Sequence, residues 1–480
     1  MKTSTWVEAY GGLSLEVFTA QARAEGAAAA VTALAAAPVT NEHYADEDRA
    51  GLLGELVTQD PQAWAADSAV IAAAAARPAL QASYFNALHF AAGSGRLDAG
   101  ALVPVAEAAF AVRPQEGDGP EAEQLRLVVS NLLHYVWDNG MSLREVEADA
   151  VTWLRGLVTD WSAPRLDTRL PLTVALTAAG ASALLSLAAW GFHQVRQTEE
   201  ELPEQLTSTL EELLSAEPDD RALAVIGFCL ARLHRHAPDW TTGHANKLLS
   251  LDHVWRPAHI WLTHGRPDAA LLARLERTGL WHALCVPGAE DALDKVFLAL
   301  LDDTEPLGPA GQFLAHLAAC PGGAEAVNKM LSRLAIYTAH MASSEVAEQA
   351  AALWRAALKA RLAPEALRGV GRFAFADILE EGTWLELTAV TLSQQPDLED
   401  AYRIAERAAR SPHSPAAQLI AAAALDHGLL EGYRRIRTIH HATAVYAGSP
   451  VRDTPEHNAL RTALINAGAI DDVLQLTDRS

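Results

Sequence analysis

This chain predicts an all-α fold, a right-handed α-solenoid of antiparallel helix pairs. Three observations carry the prediction. Proline recurs where helices would open, in Asp60-Pro61, Glu217-Pro218-Asp219, Arg266-Pro267-Asp268, Ala363-Pro364-Glu365, Gln395-Pro396-Asp397 and Thr454-Pro455-Glu456. Proline suits the first helical turn, where its missing N–H had no partner, and acidic neighbours complement the positive end of the helix dipole. Apolar residues recur at the helical period, and no stretch alternates as a half-buried strand would. One turn pattern also repeats along the second half of the chain.

Taken in order, the elements read as follows. Thr5 with Glu8, Ser142 with Glu145 and Thr383 with Glu386 have the spacing of capping boxes, a hydroxyl three residues before a carboxylate. Arg113-Pro-Gln-Glu-Gly-Asp-Gly-Pro120 is dense in turn formers, and Leu307-Gly-Pro309 is a second break. These divide the chain into an N-terminal helical stretch 1–112, a histidine-rich central stretch 121–306 and a C-terminal stretch 309–480. Pro171 to Phe192 carries no charge over 22 residues, long enough to cross a bilayer. Its Thr, Ser and Gly content reads instead as a helix buried on all sides. Leu206, Leu210, Leu213 and Leu214 form one stripe, Leu223, Ile226, Leu230 and Leu233 another, and Leu293, Val296, Phe297, Leu300 and Leu301 a third. The turn pattern is aliphatic, Gly at +3, acid at +6: Leu262, Gly265, Asp268, and again Ile465, Gly468, Asp471, with a partial copy at Leu425, Gly428, Glu431. A left-handed glycine ending one helix and an acid opening the next make the turn of an αα-hairpin. The last two glycines are 40 residues apart, the length of one helical pair with its connections.

Composition bounds the function. Half of the 480 residues are hydrophobic and only 20% are charged, which excludes wholesale disorder. Much of the apolar content is alanine, the best helix former, so helices can approach closely. The twelve tryptophans are spread along the chain and read as anchors in separate layers. Sixty acidic and 37 basic side chains give a net charge of −23, which repels phosphate backbones and argues against a nucleic-acid partner. Cys229, Cys285 and Cys320 have no paired spacing and read as reduced, buried thiols. With an N-terminus lacking a leader-like apolar run, they point to a cytoplasmic protein with no membrane segment.

Candidate sites are few. The region from His234 to His282 holds seven of the eighteen histidines. His234, His236 and His244 are the nearest approach to a metal set, but no pair has the i, i+4 spacing of a helical metal motif, and partly exposed histidines are the simpler reading. Asp302-Asp303-Thr304-Glu305 echoes the aspartate motifs of helical terpene synthases, but it precedes Pro306 and reads as a helix end. No nucleophile elbow, phosphate-binding loop or dinucleotide fingerprint occurs, and Gly93-Ser-Gly95 reads as a lone turn. The residues therefore imply no catalytic group and no cofactor. Two basic regions oppose the overall charge. Arg355, Lys359, Arg361, Arg368 and Arg372 form one. Arg434, Arg435, Arg437, His440 and His441, with Arg452 and with Tyr433 and Tyr446 interleaved, form the other and stronger one, since arginine beside tyrosine both pairs and stacks. For either, a solvated helix face is the simpler reading.

Gly369-Val-Gly-Arg-Phe373-Ala-Phe375, Trp384-Leu-Glu-Leu387 and Ile404-Ala-Glu-Arg-Ala408 resemble the repeat regions of HEAT- and TPR-like α-solenoids. Such regions include the helical C-terminal halves of bacterial STAND-type and sirtuin-linked anti-phage defence proteins. The resemblance implies a recognition or scaffold role, and it does not extend to a nucleotide-binding half.

The expectation is thus a solenoid on the order of twenty helices, a non-catalytic protein-binding scaffold. A recognition subunit of a bacterial defence assembly and an all-helical enzyme with a cavity near the histidines are the alternatives. Solution scattering checks the architecture: a solenoid of this length should give a radius of gyration well above the ~23 Å of a compact globule.

Overall fold

A computed structural model of the chain describes residues 12–470, apart from 40–43, 115–121, 144, 160–170, 177, 200, 216–218, 287, 303, 306, 342, 428–431 and 451–453. The expectations at Thr5 and Glu8, Pro218, Gly428, Glu431, Arg452 and Asp471, and the tip of the Arg113–Pro120 loop, lie outside the described residues. Among those residues there are 27 α-helices, one 3₁₀ segment and no strand. The chain divides into two compact units, Met1–Leu248 with Val254–Ile260, and Leu249–His253 with Trp261–Ser480.

Proline opens helices as the sequence suggests at Pro61, Pro364 and Pro455, and also at Pro78 and Pro238, which are not among those expected. Asp60, Asp219, Asp268 and Thr454 cap the helices behind them, accepting from Ala63 N, Arg221 N, Leu271 N and His457 N. Pro396 departs from the pattern. It follows the helix Glu381–Gln394 and opens nothing, because the next helix waits until Ala401. The capping boxes at Ser142 and Thr383 are not formed. Glu380 takes the Gly382 and Thr383 amides first, which leaves Thr383 inside the helix. The Ser142 hydroxyl lies 2.8 Å from His193 Nε2, and the next helix begins at Glu147. The turn echo holds in part: Gly468 is left-handed at φ 93°. Gly265 is not, and it is glycine because the Trp261 ring lies across it.

In the first unit, long helices pack on one another across the one or two helices that separate them in the chain. Ala45–Gln59 lies on Pro78–Gly93, that on Glu123–Asp138, and that on Ala179–Thr198, which in turn meets Asp220–His236. Ala27–Ala36, Ser68–Ala75 and Ala99–Ala111 form a parallel row. The long uncharged stretch becomes a short helix Pro171–Ala175 and the helix Ala179–Thr198, nearly all of whose side chains to Val195 are buried. No helix among the described residues is long and apolar enough to cross a membrane. Glu147 ties this region together. Its carboxylate accepts from Trp190 Nε1 (3.1 Å), Gln194 Nε2 (2.8 Å), Trp137 Nε1 (3.4 Å) and the Leu143 amide (3.1 Å).

The second unit repeats the scheme more strictly. One row runs through Glu290–Leu301, Gly323–His340, the 3₁₀ segment Pro364–Phe375, Ala401–Ala408 and Gly432–Gly448. The other runs through Ala310–Ala319, Ser344–Lys359, Glu381–Gln394, Pro415–His427 and Pro455–Asn466. The break expected at Leu307-Gly-Pro309 falls inside this unit. The stripe from Leu293 to Leu301 is fully turned inward, each large side chain contributing about 1.5–3 kcal/mol. Of the acids after it, Asp302 caps the helix end and Glu305 lies beyond it, while Asp303 lies outside the described residues; Thr304 N and Oγ1 both bond Ala299 O at 3.1 and 2.5 Å.

At the middle of this unit stands Arg407, 1% exposed. Its guanidinium donates to the carbonyls of Phe373 (2.9 Å), Ala376 (2.8 Å) and Leu379 (2.7 Å) and to Glu381 Oε2 (3.1 Å). The Trp384 ring lies beneath it at 4.7 Å. Phe373 stacks on Trp354, whose indole N–H bonds Thr391. The 3₁₀ segment can reach its neighbours because Gly369 and Gly371 have no Cβ. One there would strike the Asn328 carbonyl and Ser332 from the first glycine, and the Glu399 backbone from the second.

Arg407→Leu should therefore destabilise the chain by about 3–5 kcal/mol, since it strands buried acceptors. Gly371→Ala should cost about 1–3 kcal/mol through overpacking. Chemical denaturation checks both, and a loss below about 1 kcal/mol for Arg407→Leu would remove it from the role of central tie.

Candidate functional site

The C-terminal basic region falls on the helix Gly432–Gly448. Thr438, Ala442, Val445 and Tyr446 form its inward stripe, so the opposite side and the first turn face water. All five residues from Gly432 to Ile436 are exposed, Tyr433 by 72% and Ile436 by 66%. Arg434 and Arg435 stand on the same turn. The Arg434 guanidinium lies 5.5 Å from the Tyr402 ring, and Arg435 Nη2 donates to Ala467 O at 3.3 Å. The helix dipole adds to the positive charge at this end.

The structure does not leave all of the expected residues available. Arg437 Nη2 is paired with Glu406 Oε1 at 3.1 Å, while Arg403 Nη1 holds the other oxygen at 2.7 Å. Burial pushes the Glu406 carboxyl up, but the Arg403 hydrogen bond and the charges of Arg403, Arg437 and His441 outweigh it and bring it below its ordinary value. His441 is half-buried, and burial holds it below the usual imidazole range. His440 is exposed beside it, the two rings 5.4 Å apart. The outward surface thus consists of Tyr433, Arg434, Arg435, Ile436 and His440.

The second basic region is divided. Arg368 pairs with Asp397 at 3.1 Å, and Arg372 with Glu399 at 2.9 Å and Asp400 at 3.6 Å. Arg355, Lys359 and Arg361 are exposed at the end of the helix Ser344–Lys359. Two of the five are therefore ties to the 397–400 loop.

Comparison of the chain with family models, with curated proteins and with solved structures finds no match.

The histidines do not assemble. His234 is buried, His236 packs against Phe192, and His244 Nδ1 lies 2.9 Å from Trp240 O with its ring on that indole. Among the described residues no group of three or more His, Cys, Asp or Glu side chains is placed to hold a metal ion. What sequence reasoning missed near the basic turn is Arg403, Tyr402 and Phe375, an arginine between two rings at 5.4 and 5.1 Å. Their signal, the aromatic–arginine pair Tyr402–Arg403 on the helix Ala401–Ala408, lies some thirty residues away from the patch.

Burial also holds His89, His134, His193, His236 and His264 below the ordinary imidazole value. A depressed histidine stays neutral in the folded chain while the unfolded chain takes up the proton. Its contribution is intact above the unfolded value and is lost as pH falls below it. Tm should therefore drop as pH falls through about 6.5. His193→Gln should make that drop shallower in a melting series across pH, and an unchanged slope would remove His193 from the effect.

Proposed function

We propose that this chain is a non-catalytic protein-binding module, an α-solenoid of antiparallel helix pairs that engages an acidic protein surface. The observation that carries the reading is the first turn of the helix Gly432–Gly448, which presents Tyr433, Ile436, Arg434 and Arg435 together to solvent. Tyrosine and arginine are enriched among the residues that carry most of the binding energy at protein interfaces, and Ile436 adds apolar area beside them. On a chain of net charge −23, a local positive turn selects partners by charge. Support for the solenoid comes from the alternating rows. In the second unit the elements of one row start at residues 290, 323, 364, 401 and 432, a repeat of 31–41 residues, and each covers the flank of the next.

The test uses the intact chain as bait in extract of its own source, followed by titration of the recovered, purified protein. Arg434→Glu with Arg435→Glu should weaken that binding by about tenfold or more. Tm should stay nearly unchanged, because acids at the start of a helix suit its dipole. Arg437→Glu is the contrasting variant: it breaks the Glu406 pair and should lower Tm as well. Equal affinity of the wild type and the double variant would reject this face as the recognition surface.

A further inference from the structure

Two turns of the second unit bring a pair of thiols together at the mouth of a cavity. Cys285 ends the helix Arg277–Cys285, and Cys320 closes the helix Ala310–Ala319. The chain after Cys320 passes close to Cys285. Gly322 is left-handed at φ 75°, and a Cβ on it would stand 3.0 Å from the Cys285 carbonyl oxygen. Cys285 and Cys320 line one and the same cavity, and Cys320 Sγ donates to His316 O at 3.5 Å. Both cysteines are half-buried, whereas Cys229 is buried, so reading all three as buried thiols is right only for Cys229. Cys285 and Cys320 line a cavity of about 550 Å³ together with Arg277, Trp281, His282 and His316.

His282 precedes Cys285 by three residues and His316 precedes Cys320 by four, spacings that place each pair on one helix face. A metal centre does not follow. The His316 ring packs against Trp281 at 4.5 Å, tilted by 46°, and no three such groups are placed to hold an ion among the described residues. The sulfur pair itself is the chemical feature.

We propose that Cys285 and Cys320 form a redox-active dithiol that closes to an intramolecular disulfide, taking a small organic disulfide of the glutathione-disulfide class as oxidant. The exchange runs in two displacements. The Cys320 thiolate attacks one sulfur of the small disulfide, whose S–S bond breaks. A mixed disulfide forms on Cys320, and one small thiol leaves after taking a proton. Cys285 then gives up its proton and attacks the Cys320 sulfur, the mixed S–S bond breaks, and the second small thiol departs. Two electrons pass from the protein dithiol to the small disulfide, and two protons leave with its thiols.

The order of attack follows from the surroundings. Burial, then the charge and hydrogen bond of the Cys320 sulfur, push the Cys285 thiol up to about 11, so it holds its proton while its neighbour reacts. Capping Cys320 removes that charge and frees Cys285 for the second step. Arg277 on the cavity wall offers its guanidinium to the carboxylates of such an oxidant.

The reduced full-length chain is incubated with excess glutathione disulfide, and its thiols are counted and its peptides mapped without reduction. The expected result is a fall from three free thiols to one, with a linked Cys285–Cys320 peptide and Cys229 unmodified. Cys285→Ser should stop at a mixed disulfide on Cys320. Cys320→Ser should react about tenfold more slowly or less. Melting curves check that both variants fold, and the mapping of the unaltered chain stands even if one does not. Three surviving thiols, a bridge to Cys229 or only bridges between chains would overturn the proposal. So would zinc bound one to one in the purified protein and lost from both variants.

Discussion

A helix hides its side chains more easily than its ends, and the second unit depends on how one such end is closed. The 3₁₀ segment Pro364–Phe375 and the turn behind it present the carbonyls of Phe373, Ala376 and Leu379 to the interior, where water cannot reach them. A single guanidinium satisfies all three and reaches Glu381 at the opening of the following helix. Arginine suits this place because its donors lie in one plane and point along fixed directions, while lysine would offer one compact charge. The Trp384 face beneath it supplies electron density where solvent is absent. Burial works against the charge of Arg407, and Glu381 supports it. Around this tie the Trp354–Phe373 stack and the two close-approach glycines fix how near the rows may come.

How much of this was legible depends on the distance over which each feature is decided. The stripe at Leu293, Val296, Phe297, Leu300 and Leu301 is a local matter, and it is buried as its spacing requires. Caps are local too, but they are competitive. Glu380 reaches the Thr383 amide before any box between Thr383 and Glu386 forms, and Ser142 is drawn away by His193. For Arg368 and Arg372 the sequence left the partners unnamed for a different reason. Their acids, Asp397 and Glu399, stand 27–29 residues downstream and meet Arg368 and Arg372 only after the chain has folded back. Arg407 gave no sign at all, since a buried arginine among Ile404, Ala405 and Ala408 looks like the polar edge of an amphipathic helix.

The basic turn was the more legible of the candidate sites, because clustered like charges are a property of adjacent residues. What the sequence did not separate was which charges are spent inside the protein. Glu406 consumes Arg437 and Arg403. This leaves Arg434 and Arg435 as the outward charges, held in place by an aromatic ring and a backbone carbonyl. The cysteines carry the same lesson. Cys285 and Cys320 are 35 residues apart, close to one repeat of the rows, and it is that periodicity which sets them side by side.

Next-but-one packing has a mechanical consequence. A helix in the middle of either row is clasped on two flanks, whereas among the described residues Pro455–Asn466 packs chiefly on Pro415–His427 before it in its row and on Gly432–Gly448 across from it. Backbone amides at that end should open first and those around Trp354 last, so protection from exchange would rise inward by degrees. The basic turn then sits beside the helix with the fewest described neighbours in its row, and a ligand gripping it would also act as a clamp there.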